Sequence, residues 1–100
     1  PASSWLDKHA PAPPIVKTEP ETNAYTIKWT HLNEKDVFHW VVYYQYGTAW
    51  SYQILSHANR SLQLQRTAGT GTSVQNLKTI IVSAVDRTGN ESEKRLVNVQ

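Results

Sequence analysis

Hydrolytic chemistry in this chain would have to come from its carboxylates. A glycosidase-type acid–base reaction needs two of them held on opposite sides of a cleft. The eight acids are Asp7, Glu19, Glu21, Glu34, Asp36, Asp86, Glu91 and Glu93, and all fall in the leading segment, in turns or at strand ends. No spacing among them favours a pair. They read as residues that keep turns soluble, with Asp36 and Asp86 expected to hydrogen-bond turn amides. The histidines, His9, His31, His39 and His57, are not spaced as metal ligands on a strand or helix. The chain has no cysteine, which removes thiolate nucleophiles, disulfides and thiolate metal sites together. It also lacks a Gly-x-Ser-x-Gly elbow. Ala68-Gly69-Thr70-Gly71 is missing the Lys-Ser/Thr ending and the following helix of a phosphate loop, and reads as a flexible loop. No catalytic, cofactor-binding or metal-binding residue is assigned, and no cofactor is expected.

Aromatic side chains are the one enriched group able to recognise something: four Trp, five Tyr and one Phe in 100 residues. Flat apolar faces with a polar tip suit stacking on sugar rings and the centres of protein interfaces. Most of these rings have core work to do, and Trp29, Trp40, Tyr25 and Tyr44 are expected inside. Two groups are left for function. Tyr46, Trp50 and Tyr52 sit on or beside a weak strand and could stack a glycan. His39, Val41 and Tyr43, with Ile81 from a neighbouring strand and Trp5 from the leading segment, could form an outer patch that docks another domain.

Those residues need strands to position them. Val37 to Tyr46 is almost continuously β-branched or aromatic, types that suit a pleated, half-buried surface. One parity carries Phe38, Trp40, Val42, Tyr44 and Tyr46; the other carries Val37, His39, Val41, Tyr43 and Gln45. Successive side chains in a strand alternate between faces, so this strand is apolar on both and belongs mid-sheet. Further strands are expected at Ile15 to Glu19, an edge strand beside prolines, and at Tyr25 to Thr30, which alternates cleanly. The rest are Trp50 to Leu55, Leu62 to Thr67, Thr79 to Asp86 and Lys94 to Val99. Seven short strands separated by turn signals, with no sustained helical period, predict an all-β antiparallel sandwich or barrel.

Length sets one domain, over residues 13–100, preceded by a proline-rich linker over residues 1–12. The chain starts at Pro1 and contains no Met, so we expect a piece of a longer or processed protein whose signal or lipid anchor would not be visible. No apolar run reaches the roughly 18 residues of a membrane-spanning helix. The net charge of +2 comes from ten scattered basic residues. A nucleic-acid binder would cluster them on one face, so no nucleic-acid partner is expected.

A Pro-Pro entry, Trp29 on the second strand and the turn Asp36-Val37 before Trp40-Val41-Val42-Tyr43-Tyr44 form half of a familiar pattern. The other half is Val82-Ser83-Ala84-Val85-Asp86-Arg87-Thr88-Gly89-Asn90-Glu91-Ser92. Together they resemble a fibronectin type III domain of the bacterial kind attached to secreted glycoside hydrolases. With Asn33-Glu34-Lys35-Asp36-Val37 and the Trp-containing linker, the chain is similar to the C-terminal domain of family-10-like glycosyl hydrolase lipoproteins of Bacteroidetes-type bacteria. The resemblance implies a seven-strand immunoglobulin-like sandwich. It further implies a non-catalytic spacer or docking role beside a catalytic domain of the same parent chain, outside the cytoplasm. A glycan-binding module, with a polysaccharide as partner, is the alternative. Lys78 stands near the position of the family's tyrosine corner, so that bond is expected to be absent or replaced.

Overall fold

The computed structural model describes residues 11–99; Trp5 lies outside them. Eight strands follow in order: β1 (Ile15–Pro20), β2 (Ala24–Thr30), β3 (His39–Tyr46), β4 (Ala49–Ser56), β5 (Ser61–Gln65), β6 (Thr67–Ala68), β7 (Gln75–Val85) and β8 (Arg95–Asn98). One sheet has the order β1-β2-β5. The other runs β4-β3-β7, with β8 paired to β7 and the two-residue β6 on the first residues of β7. All pairings are antiparallel. The seven expected strands are present, and β6 is an addition too short to leave a periodic trace in the sequence.

The core forms where the inward parities of the two sheets meet. Tyr25, Ile27 and Trp29 from β2 face Trp40 and Val42 from β3 and Ile80, Val82 and Ala84 from β7. Trp29, Trp40, Ile27, Ile80, Val42 and Val82 are fully buried, and each large apolar side chain removed from water contributes roughly 1.5–3 kcal/mol. The two indoles lie 6.1 Å apart at a tilt of 56°, an arrangement that offsets their ring quadrupoles. Each indole N–H needs an acceptor once buried. Trp29 Nε1 donates to the carbonyl of Asn59 at 3.1 Å and Trp40 Nε1 to that of His57 at 3.3 Å, so the turn between β4 and β5 satisfies both.

Val37 to Tyr46 behaves as a central strand only from His39 onward. A 3-10 turn over Glu34–Asp36 re-aims the chain just ahead of it, so the alternation is broken at its start. Val37, on the outward parity by simple counting, is buried in the core, while Phe38 is largely exposed and its amide donates to Val85 O at 2.7 Å. From His39 the alternation holds against both neighbours, with Trp40 opposite Leu55 and Ala84, and Val42 opposite Gln53 and Val82. Only Gly47 and Thr48 separate β3 from β4. Gly47 has φ 61° and Thr48 a negative φ, the pattern of a type II′ hairpin turn, whose first central position needs glycine.

The leading segment is tied to this frame at its last residues. Pro11 is buried, and His31, itself buried, donates from Nε2 to Ala12 O at 2.6 Å while its Nδ1 accepts the Asn33 N–H at 2.9 Å. Those two bonds fix the tautomer with the proton on Nε2.

Candidate functional site

The outer face of the larger sheet is where the candidate residues gather. Register places Tyr52, Tyr43, Ile81 and Leu96 side by side in one row across β4, β3, β7 and β8. Trp50 flanks that row on one side and Ile54 on the other, both on the outward parity of β4. Trp50, Tyr52, Ile54 and Leu96 are 50%, 62%, 59% and 58% exposed, so an apolar band crosses all four strands with its faces in solvent. Contiguous bands of this kind are uncommon on soluble monomers and mark contact surfaces.

Among the described residues, Tyr43 and Ile81 of the expected docking patch therefore share one face with Trp50 and Tyr52. His39 and Ile81 are partly exposed on it. Val41 is only 7% exposed and contributes little that a partner could touch. Tyr46 does not belong with Trp50 and Tyr52. It sits on the inward parity, packs against the core beside Tyr44, and donates its hydroxyl to Gln65 O at 2.6 Å. An even offset from Tyr44 along β3 puts both rings on the core side, which removes Tyr46 from any shared platform with Trp50. Its hydroxyl-to-backbone bond ties the two sheets together, since Tyr46 lies on β3 and Gln65 on β5.

Ile54 and Leu96 belong to the band although neither had been assigned to it. The signal for Ile54 was present in the sequence: within Trp50 to Leu55, one parity reads Trp, Tyr, Ile and the other Ser, Gln, Leu. Leu96 needed the β7–β8 register, which no local pattern encodes.

Glu91 leaves no local signal of its role. Read locally it is a turn acid, yet its side chain reaches back over the outer face and anchors the band's polar border. Tyr43 donates its hydroxyl to Glu91 Oε2 at 2.6 Å, and the fully buried Ser83 donates to the same oxygen. Lys94 Nζ lies 3.8 Å from Glu91 Oε1 and 5.7 Å from the centre of the Tyr43 ring, covering it as a cation. Partial burial, with the hydrogen bond to Glu91 and the nearness of its charge, pushes the Tyr43 phenol up to about 12. Burial alone would raise Glu91, but the Ser83 and Tyr43 hydroxyls and the Lys94 charge outweigh it and hold the carboxyl below its usual range.

The loop after β7 is built on a second carboxylate. Asp86 Oδ1 accepts from Thr88 N, Thr88 Oγ1 and Asn90 N, each at 2.9 Å, and Oδ2 accepts from Asn90 Nδ2 at 3.1 Å. Burial opposes ionisation here too, yet the Asn90 and Thr88 donors prevail and bring the carboxyl down to about 2. Asp86 thus bonds turn amides as expected. Asp36 instead accepts from the side-chain amide of Asn33, at 2.8 Å. Asp86 is committed to holding the backbone of its loop and Glu91 to holding side chains of the outer face, so both charges have a structural use.

A cleft of about 820 Å³ opens at the Gly47 end of the sandwich between Asn23, Gln65, Arg66, Asn76 and Lys78. None of the candidate residues lines it, and no carboxylate does. Among the described residues no three His, Asp or Glu side chains converge as a metal site would require.

No protein-family model matches the sequence, and no curated protein matches it. Solved structures do. An FN3 domain of human collagen XX superposes with a TM-score of 0.63 at 17% identity, over 94% of this chain and 95% of that one. A protein described as a myokine gives 0.62 at 17% identity, over 91% and 98%. The spore cortex lytic enzyme SleM of Clostridium perfringens gives 0.59 at 15% identity, over 90% of this chain but 29% of its own length. At such identities the likeness is one of fold, and the fold is the all-β antiparallel sandwich of fibronectin type III domains.

Proposed function

We propose that this domain is a non-catalytic accessory module, a spacer or docking unit, of a secreted or lipid-anchored bacterial glycoside hydrolase-like protein. It meets a neighbouring domain of its parent through the outer face of its larger sheet. The observation that carries this reading is the band Tyr52–Tyr43–Ile81–Leu96 flanked by Trp50 and Ile54, an apolar surface that folding leaves uncovered. Supporting it are the resemblance of Val82 to Ser92 to bacterial enzyme-attached modules and the likeness to SleM, where this fold occupies a minor part of a longer enzyme.

The test compares the isolated domain with the parent chain that carries it. Tyrosine nitration followed by peptide mass spectrometry should modify Tyr52 readily in the isolated domain and several-fold more slowly in the parent. Leu96→Lys in the parent should restore the fast rate. Equal labelling of Tyr52 in both settings removes the docking reading.

A second reading has its own observation. Trp50 and Tyr52 project from alternate positions of β4 on the same face, both half-exposed or more, as a stacking platform for successive sugar rings would require. Titrating the domain with a polysaccharide panel while following tryptophan emission decides it. Silence from every polysaccharide leaves docking alone.

A further inference from the structure

Among the described residues five strands end the two sheets, and four of them are protected against pairing with other chains, β6 by being only two residues long. β1 carries Lys17, Glu19 and Pro20; β5 is five residues long between Arg60 and Arg66; β8 is four residues long and begins at Arg95. Charges, prolines and short length are the usual devices that keep sheet edges from adding strands. β4 has none of them. It runs for eight residues, Ala-Trp-Ser-Tyr-Gln-Ile-Leu-Ser, with no charge and no proline, and it pairs with β3 alone.

The hairpin turn fixes which backbone groups face outward. Hydrogen-bonded and non-hydrogen-bonded pairs alternate along an antiparallel ladder. A two-residue turn closes on a hydrogen-bonded pair, here Tyr46 with Ala49. Ser51, Gln53 and Leu55 therefore share their N–H and C=O groups with β3, while those of Trp50, Tyr52 and Ile54 point to the open edge. The residues with outward backbone groups are the same three whose apolar side chains stand exposed.

We infer that β4 pairs antiparallel with β4 of a second copy of this chain, joining the larger sheets of the two copies into one continuous sheet across a two-fold axis. The strand is complementary to itself in that arrangement. With the axis at Tyr52, each Trp50 lies opposite the partner's Ile54 on the same face, so aromatic meets β-branched and Tyr52 meets its own copy. Each of these three pairs supplies two N–H···O=C bonds from groups that point to the open edge. No like charges oppose one another, because the strand has none. One strand edge buries less than a standard interface, which places the association in the weak, concentration-dependent range. This inference is independent of the docking proposal: it uses the edge of the sheet, and docking uses its face.

Sedimentation velocity on the full chain between about 10 µM and about 1 mM tests it, with the mass expected to move from one chain of 11.4 kDa toward two. Tyr52→Pro removes one outward N–H and no ladder bond to β3, so the fold is retained while association falls at least tenfold. Leu96→Lys charges the same apolar band on β8, three strands away from β4, and should leave association unchanged. A chain that stays monomeric to 1 mM overturns the inference, as does association that survives Tyr52→Pro or disappears with Leu96→Lys. Circular dichroism melts of each variant show that it is folded, and Tyr52→Lys serves in place of the proline variant if that one melts below the assay temperature.

Discussion

Replacing Asp86 with Asn keeps the shape of the side chain and removes its charge. In the folded chain this carboxylate accepts four hydrogen bonds, from Thr88 N, Thr88 Oγ1, Asn90 N and Asn90 Nδ2. Together they lower its pKa from 3.8 to about 2 against the opposing effect of burial. At about 1.4 kcal/mol per tenfold change in proton affinity, that difference amounts to about 2 kcal/mol. Because the folded pKa is depressed, the contribution is complete above about pH 4 and is lost as pH falls toward 2. Asp86→Asn should therefore cost about 2 kcal/mol at pH 7, which for a domain of this size lowers Tm by about 10 °C. Urea unfolding of the two proteins at a series of pH values between 2 and 7 gives the curve. The gap between them should be flat from pH 5 upward and should close by about pH 2. A gap that stays constant down to pH 2 would show that geometry and not charge makes the Asp86 loop stable, and would refute the reasoning.

Two further perturbations probe the outer face and the loop before β7. Tyr43→Phe removes one of two hydroxyl donors to Glu91 and should cost about 1 kcal/mol at neutral pH. The native phenol is held protonated to about 12, so its contribution persists below pH 10 and is lost between about pH 10 and 12; absorbance at alkaline pH should show one late-titrating tyrosine that the variant lacks. Gly69→Ala is expected to destabilise by about 2 kcal/mol or more in thermal melts. At φ 99° a side chain is strained, and a Cβ there would lie 2.5 Å from the carbonyl oxygen of Ser73, a backbone atom that cannot rotate away.

The inward half of the sandwich could be read from the chain because it depends on local alternation. Tyr25, Ile27 and Trp29, then Trp40 and Val42, then Ile80, Val82 and Ala84, each follow a period of two that survives folding unchanged. Alternation misleads only where the backbone leaves the extended conformation. The 3-10 turn at Glu34–Asp36 does so, and puts Val37 inside and Phe38 outside. The candidate surface was legible in part. Tyr43, Ile81, Trp50 and Tyr52 could be placed on exposed faces strand by strand, but that they share one face with Leu96 depends on β7–β8 pairing. Glu91 shows the limit most clearly. Nothing near it in sequence marks it as the acceptor for Tyr43, 48 residues earlier, since that contact exists only once β3 and β7 are paired and the following loop has folded back.

The two outermost strands of the chain also decide how this domain would carry load. Ile15 pairs with Thr30, next to the His31 that packs against Trp40, and so lies at the His39 end of the sandwich. Asn98 pairs with Thr79, which pairs with Gln45, and so lies at the Gly47 end. Polypeptide thus enters at one pole and leaves at the other, with β1 and β8 both running along the axis between them. Tension applied through the flanking chain pulls β1 lengthwise past β2 and β8 lengthwise past β7. The ladder bonds in each pair are then strained in parallel, as in a lap joint, and must fail together. A sandwich strung this way resists stretching best along the line from Ile15 to Asn98.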